Sequence, residues 1–295
     1  LLFIFFEGAA LCVLCRVFGH KTRLRDGYIY SAADIYFSSI TPSATGGQPA
    51  SAYFMIKDGV SGMTATAALL ANLCMYSLSI LVIGTLCFIF RPEQFLAYST
   101  PSKIFIIIGA ALQILLTVFI LLLLINENLL RRICRGVISL LCKMHIFKNK
   151  EKKLARLDEQ IEVYRESASI ISQHKSALWR VFLLNFMQRI SQISISALVF
   201  VGVTHAKLSE AIDLMFLQGY TTIGSNCAPI PGAVGISDYL MLDGFSSLMD
   251  EGMAVNLELL SRSLSFYCCV FICGASILIR YLTVKKRGAK NDRIL

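Results

Sequence analysis

Residues 103–125 read KIFIIIGAALQILLTVFILLLLI, a run in which Lys103 is the one charged side chain. A helix needs about 20 predominantly apolar residues to cross the hydrocarbon core of a bilayer. This stretch meets that length, and four more apolar runs resemble it, at 1–18, 63–90, 177–203 and 262–284. Over all 295 residues, 56% are hydrophobic and 16% charged, with a mean hydropathy of +0.65. Soluble domains carry roughly 25% charged residues. The composition therefore excludes a disordered or collagenous chain, argues against a soluble enzyme, and points to an all-α polytopic membrane protein.

Two further apolar stretches are interrupted. Residues 32–55 contain Thr41, Pro42, Gly46, Gly47 and Pro49, and residues 212–242 contain Pro229, Pro231, Gly232 and Gly235. Proline removes a backbone donor and glycine frees the chain, so neither stretch suits a regular lipid-facing helix. The flanks of the breaks repeat. Asp34-Ile35-Tyr36-Phe37 precedes the first and Tyr53-Phe54-Met55 follows it. Asp213-Leu214-Met215-Phe216 precedes the second and Tyr239-Leu240-Met241 follows it. Paired interrupted segments of this kind point to a transport site between inverted repeats; the alternative is coincidence in apolar sequence of low diversity.

Loop charge sets the expected orientation. Lys21, Arg23 and Arg25 follow the first run, 11 Lys or Arg lie in 126–176, and five follow Tyr281. The positive-inside rule makes these regions cytoplasmic. Asp243, Asp250, Glu251 and Glu258, with no Lys or Arg before Arg262, fit the outside. Each break must then leave and return on one side, giving two re-entrant elements from opposite faces. Hydropathy also accommodates a pair of short spans at either break. The expected organisation is a first membrane half, 1–128, with a re-entrant 34–56; a cytoplasmic amphipathic linker, 129–176; a second half, 177–284, with a re-entrant 212–242; and a basic cytoplasmic tail, 285–295.

In the linker, Ile133, Val137, Leu140, Met144 and Phe147 share one helical face, which suits a helix beside anionic headgroups. Leu154, Leu157, Ile161, Tyr164, Ala168 and Ile171 continue the periodicity and read as a packed helix. Aromatics for base stacking are scarce there, so a nucleic-acid partner is not expected. Of the ten cysteines, seven lie within apolar runs, where a thiol acts as a small hydrophobe. His20, His145, His174 and His205 are scattered, and no metal or other cofactor is expected. The chain opens without Met in an apolar run, so an earlier segment is expected to be missing.

Ionisable groups inside apolar spans are costly and become functional candidates by default. Arg189 lies mid-span beside Asn185, Gln188 and Gln192; Glu7 interrupts the first run; Arg262 opens the last. An Arg fork binds phosphate in a bidentate manner, and unwound backbone at Gly46, Gly47 and Gly232 could offer N–H groups to the same anion. The structural alternative has Arg262 reaching the interface and Arg189 paired with Glu7 or Asp213.

The stretch Thr41-Pro42-Ser43-Ala44-Thr45-Gly46-Gly47-Gln48-Pro49, with Tyr53 and Lys57-Asp58-Gly59 behind it, resembles the first signature of the lysylphosphatidylglycerol synthase membrane-domain family. Pro229-Ile230-Pro231-Gly232-Ala233-Val234-Gly235-Ile236-Ser237-Asp238 is similar to the second, P-x-P-G-G-x-G-x-x-E, and Arg262 resembles the Arg that follows it. Ala233 replaces the usual second Gly and Asp238 the usual Glu, so the headgroup preference is expected to shift.

The resemblance covers nearly the whole chain. It implies a flippase-like protein of the bacterial cell membrane that moves a phosphate-bearing, aminoacylated phospholipid such as lysylphosphatidylglycerol between leaflets, with a link to antibiotic resistance. Full-length members add a cytoplasmic acyltransferase domain, which this chain has no room to hold, so the expectation is a non-enzyme with a separate synthase as a partner. The expected substrate-binding residues are Thr41, Pro42, Gly46, Gly47, Gln48, Arg189, Pro231, Gly232, Gly235, Asp238 and Arg262. The other readings are a transporter of a polyprenyl-phosphate lipid, an assembly partner of a lysyltransferase, or a lipid-linked-sugar enzyme using Asp243, Asp250 and Glu251 to bind a metal. No Walker-type nucleotide loop is present, so drive by a gradient, the membrane potential or mass action is expected.

Overall fold

The computed structural model describes residues 1–143, 150–204 and 207–291. Among these residues the structure is helical and has no strand. Four helices are long and apolar enough to cross a membrane: Gly62–Phe90, Thr100–Ile125, Lys175–Thr204 and Glu251–Thr283. We label the elements α1 (Leu2–Val17), α2 (Leu24–Ile40), α3 (Gly47–Lys57), α4 (Gly62–Phe90), α5 (Pro92–Ala97), α6 (Thr100–Ile125), α7 (Glu127–Lys143), α8 (Lys150–Gln173), α9 (Lys175–Thr204), α10 (Leu208–Ser225), α11 (Ile236–Phe245), α12 (Glu251–Arg262) and α13 (Cys268–Asn291). A π-helical turn, Ser263–Tyr267, joins the last two into one helical path.

The side-chain pattern is that of a protein whose solvent is lipid. Along α6, Ser102, Gln113 and Thr117 are buried with Ile106, Gly109 and Ile120. Ile104, Ile107, Ile108, Ile114, Leu115 and Phe119 stay exposed on the same helix. In water that arrangement would cost the hydrophobic gain of folding; in hydrocarbon it costs nothing, and the polar stripe binds helix to helix. A Cβ at Gly109 would meet the backbone of Gly224, 2.6 Å from its Cα. The missing side chain therefore lets α6 lie directly on α10. The chain is thus a multi-pass membrane protein.

Both interrupted stretches form helical hairpins. α2 and α3 pack on each other around a tip whose 3₁₀ turn is Pro42–Ala44, and α10 and α11 do so around a tip whose 3₁₀ turn is Pro231–Ala233. The two tips touch. Their backbones repeat as well. Each turn opens on proline, which cannot donate and suits a helix start, and each ends on an alanine in the left-handed region, Ala44 at φ 54 and Ala233 at φ 52. Gly232 and Gly235, at φ 60 and 88, carry the further reversal in the second tip.

The last helix differs from the sequence reading. It begins at Glu251, capped by Asp250, so Arg262 lies inside it and does not open it. α8 packs on α4, α7 and α9 and buries Ile161, Tyr164 and Ile171. On α7, Ile133, Val137 and Leu140 remain exposed. Met144 and Phe147, placed on the same face from sequence, lie outside the described residues, as do His145, His205 and the side chains of the tail at 285–295.

Candidate functional site

Each hairpin tip is held by its own hydrogen bonds. In the first, the Thr41 hydroxyl donates to the Phe37 carbonyl at 2.6 Å and accepts from the Gly46 amide at 2.9 Å. A Cβ on Gly47 would collide with the Asp34 carboxylate and the Ser38 hydroxyl, so α3 can start against α2 only with glycine there. Asp34 then takes Ser38 Oγ at 3.0 Å and, across the tip, Gln48 Nε2 at 2.6 Å.

In the second tip, the Gly235 amide donates to Asp238 Oδ2 at 2.8 Å. The guanidinium of Arg262 stands 2.8 Å from Asp238 Oδ1, donates to the Gly232 carbonyl at 2.7 Å and covers the Phe266 ring at 4.6 Å from its centroid. Arg262 therefore spends its charge and a donor on the second tip.

Between the tips lies a cavity of about 490 Å³. Gln48 and Thr45 reach it from the first tip, Gly232 and Ala233 from the second, and Glu7, Asp34, Tyr76, Arg189 and Arg262 from the helices around it. Of the residues expected from sequence, Gln48, Arg189, Gly232 and Arg262 line this space. Thr41, Gly46, Gly47, Gly235 and Asp238 support the turns by the contacts above, and Pro42 and Pro231 open them.

Arg189 differs in kind from Arg262. It arises from α9, donates to Gln192 Oε1 and to the Tyr76 hydroxyl, and lies over the Tyr76 ring at 4.2 Å and the Phe3 ring at 5.4 Å. Its Nε is buried with no hydrogen-bond partner among the described residues. All these partners are neutral. Asp213, one of the two carboxylates considered from sequence, pairs instead with Arg91 at 3.2 Å. The other, Glu7, accepts from Ser31 Oγ at 3.0 Å and Gln188 Nε2 at 2.9 Å. A guanidinium facing a cavity without a bonded carboxylate has a donor left for an external anion.

Tyr76 is the site residue that sequence reading passed over. Its hydroxyl donates to Asn226 Oδ1 at 3.0 Å, Asn226 donates to Gln113 Oε1 at 2.8 Å, and Gln113 donates to Ser77 Oγ at 2.9 Å. This chain ties Arg189 to the second tip through α4 and α6. The available signal was the run Asn72, Tyr76, Ser77 and Ser79, polar at helical spacing inside an otherwise apolar helix.

The acids read as an outer metal site do not converge. Asp243 accepts the Ser99 amide and hydroxyl, both at 2.9 Å, and Asp250 accepts the Met253 amide at 3.0 Å. They finish helix ends, and among the described residues no three metal-ligating side chains cluster.

Comparison with known proteins gives one finding. The family model described as the lysylphosphatidylglycerol synthase TM region matches residues 1–273. No curated protein and no solved structure matches the chain.

Proposed function

We propose that this chain, which belongs to the lysylphosphatidylglycerol synthase TM-region family, moves a phosphate-bearing lipid between leaflets by admitting its headgroup to the cavity between the two hairpin tips. The observation that carries this reading is Arg189, a cation facing a polar cavity with neutral partners and an unpartnered Nε. A phosphate diester supplies the acceptor that Nε lacks. The planar fork also orients it better than a point charge would. Arg262 keeps the second tip folded behind the anion, and Gln48 and Tyr76 offer further polar contacts.

The tip-to-tip contact supports entry of the two hairpins from opposite faces, so that the cavity lies at the depth a crossing headgroup must pass. The acyl tails remain in lipid, beside the exposed apolar flanks of α6 and α13. The basic segment 126–176 supports a cytoplasmic placement for α7 and α8, with the apolar edge of α7 in the headgroup layer. Lysylphosphatidylglycerol is the lipid that the family points to; an aminoacyl-lipid synthase is the partner that would supply it.

Lipid retention by the purified protein tests the anion site. Native mass spectrometry of the full chain with phosphatidylglycerol should show binding that weakens about tenfold to a hundredfold in Arg189→Gln, the loss expected for a charged hydrogen bond of about 1.5–3 kcal/mol. Uncharged diacylglycerol should be indifferent to the substitution. Equal retention of phosphatidylglycerol by both proteins would contradict the assignment.

A further inference from the structure

We propose that Glu7 and Asp34 form a proton-binding pair in this cavity, taking up one proton as an anionic lipid phosphate binds beside Arg189. The inference rests on the lipid reading above and adds to it the ion that accompanies the lipid.

The geometry begins with the two carboxyl groups. Both are buried, at 6% and 7% exposure, and both line the cavity. Ser31, which donates to Glu7, and Asp34 lie one helical turn apart on α2, so the two carboxyl groups face the same space. Two carboxylates buried side by side in a low-dielectric site disfavour double ionisation, and in this proposal the pair shares one proton and carries one negative charge. The remaining contacts come from neutral donors: Ser31 and Gln188 to Glu7, Ser38 and Gln48 to Asp34.

A second observation points to the same proton. Gln188 is 1% exposed and lines the cavity, and its Oε1 is buried with no donor among the described residues. The amide that already donates to Glu7 thus holds an idle acceptor beside it. A protonated carboxyl or a water carrying the proton inward supplies the missing O–H.

The titratable groups around the pair are few. Arg189 of α9 shares the cavity with Glu7, and Cys273 of α13 is buried with Ile4 of α1 and Ala32 of α2. Tyr76 of α4 faces the site through Arg189. On α3, Lys57 lies over the Tyr53 ring and Asp58 beyond it is held by Tyr30 and Arg280; on α8, Tyr164 turns to Leu123. Arg262 and Cys269 also line the cavity, and Arg262 is paired with Asp238, so Arg189 is the guanidinium left to balance one singly charged pair.

An incoming phosphate diester brings a second negative charge and claims Arg189. The pair is left uncompensated unless it accepts a further proton. The step is simple in balance: a proton from bulk water forms one O–H bond on the ionised carboxylate, and no other bond changes. Lipid and proton then occupy the cavity together at unchanged net charge, and both leave when the site opens to the other side. An anionic headgroup so accompanied crosses without moving net charge, and a pH gradient can drive it.

The test measures protons on binding. Short-chain phosphatidylglycerol is added to the full chain in weakly buffered detergent with a pH-reporting dye. About one proton should be taken up per lipid bound, and affinity should rise about tenfold per unit fall in pH over the range in which the pair titrates. The double variant Glu7→Gln with Asp34→Asn, checked for native helical circular dichroism and a single size-exclusion peak, should bind the lipid with a flattened pH dependence and no uptake, whereas Glu7→Gln and Asp34→Asn alone each keep one carboxylate and should shift the pH range of uptake. If the double variant does not fold, the shift in the single variants and the native measurement decide. Binding without uptake and with pH-independent affinity would overturn the proton site and leave the lipid reading standing. Absence of binding at every pH would overturn both.

Discussion

Arg262 Nε lies 2.8 Å from Asp238 Oδ1, and the same guanidinium donates to the Gly232 carbonyl at 2.7 Å. One side chain on the last helix thus clasps both ends of the second hairpin tip. The pair is partly buried, at 12% and 29% side-chain exposure. Removing either partner leaves the other charge unmatched. Arg262→Ala and Asp238→Ala should each cost about 1.5–3 kcal/mol, read as a lowered thermal midpoint in detergent. The double variant should cost clearly less than the sum. Additive losses would show that the two residues act separately.

Ala44 and Ala233 share a position, two residues after the proline that opens each tip, and share left-handed backbone. A Cβ in that region costs about 1–2 kcal/mol, offset in part by the about 0.5–1 kcal/mol that glycine loses in chain entropy. Ala233→Gly and Ala44→Gly should each stabilise by up to about 1 kcal/mol, and Ala233→Val should destabilise. Thermal unfolding of the three variants checks the sign, and a stabilising valine would contradict the backbone assignment.

Gly47 answers to space, with no positive φ involved. Its missing Cβ would overlap Asp34 and Ser38. Gly47→Ala should cost about 1–3 kcal/mol by overpacking and loosen the bond from Gln48 to Asp34. Gly136, within α7, has nothing within 4 Å of its Cβ position. Gly136→Ala should stabilise by about 0.5–1 kcal/mol. Similar shifts for both would contradict the close approach of α3 to α2.

Much of this was legible in the chain. Hydropathy found the helices at 62–90, 100–125 and 175–204 because each carries its apolar run in one piece. Proline and glycine located both tips, since no regular helix accommodates them there. What stayed hidden was tertiary. Arg262 read as the opening of a span because the polar first turns of α12 look like a loop until Asp250 is seen to cap them. Its clasp on Asp238 depends on how α12 packs against α11. Tyr76 was passed over because the polar run Asn72, Tyr76, Ser77 and Ser79 does not say which of its members faces a charge; its importance comes from Arg189, which lies 113 positions away in sequence.

Tyr164 makes a prediction at alkaline pH. It is fully buried on α8 and donates to the Leu123 carbonyl at 3.0 Å, and burial pushes its phenol up to about 12. An unfolded tyrosine titrates near 10. The folded value lies above the unfolded one, so this contribution is complete below about pH 10 and is lost as pH rises towards 12. Tyr164→Phe should lose about 1 kcal/mol at neutral pH and show a smaller alkaline decline than the native protein. Equal alkaline declines would contradict the role given to this hydroxyl.

Headgroup transfer in sealed proteoliposomes tests the central claim most directly. Fluorescent phosphatidylglycerol and its lysyl form are followed from one leaflet to the other, with the native chain, Arg189→Gln and Arg189→Lys reconstituted at equal density. Transfer by the native chain, reduced about tenfold or more in Arg189→Gln and partly restored in Arg189→Lys, is the expected result. Transfer that proceeds at the native rate without a cation at position 189 would contradict it.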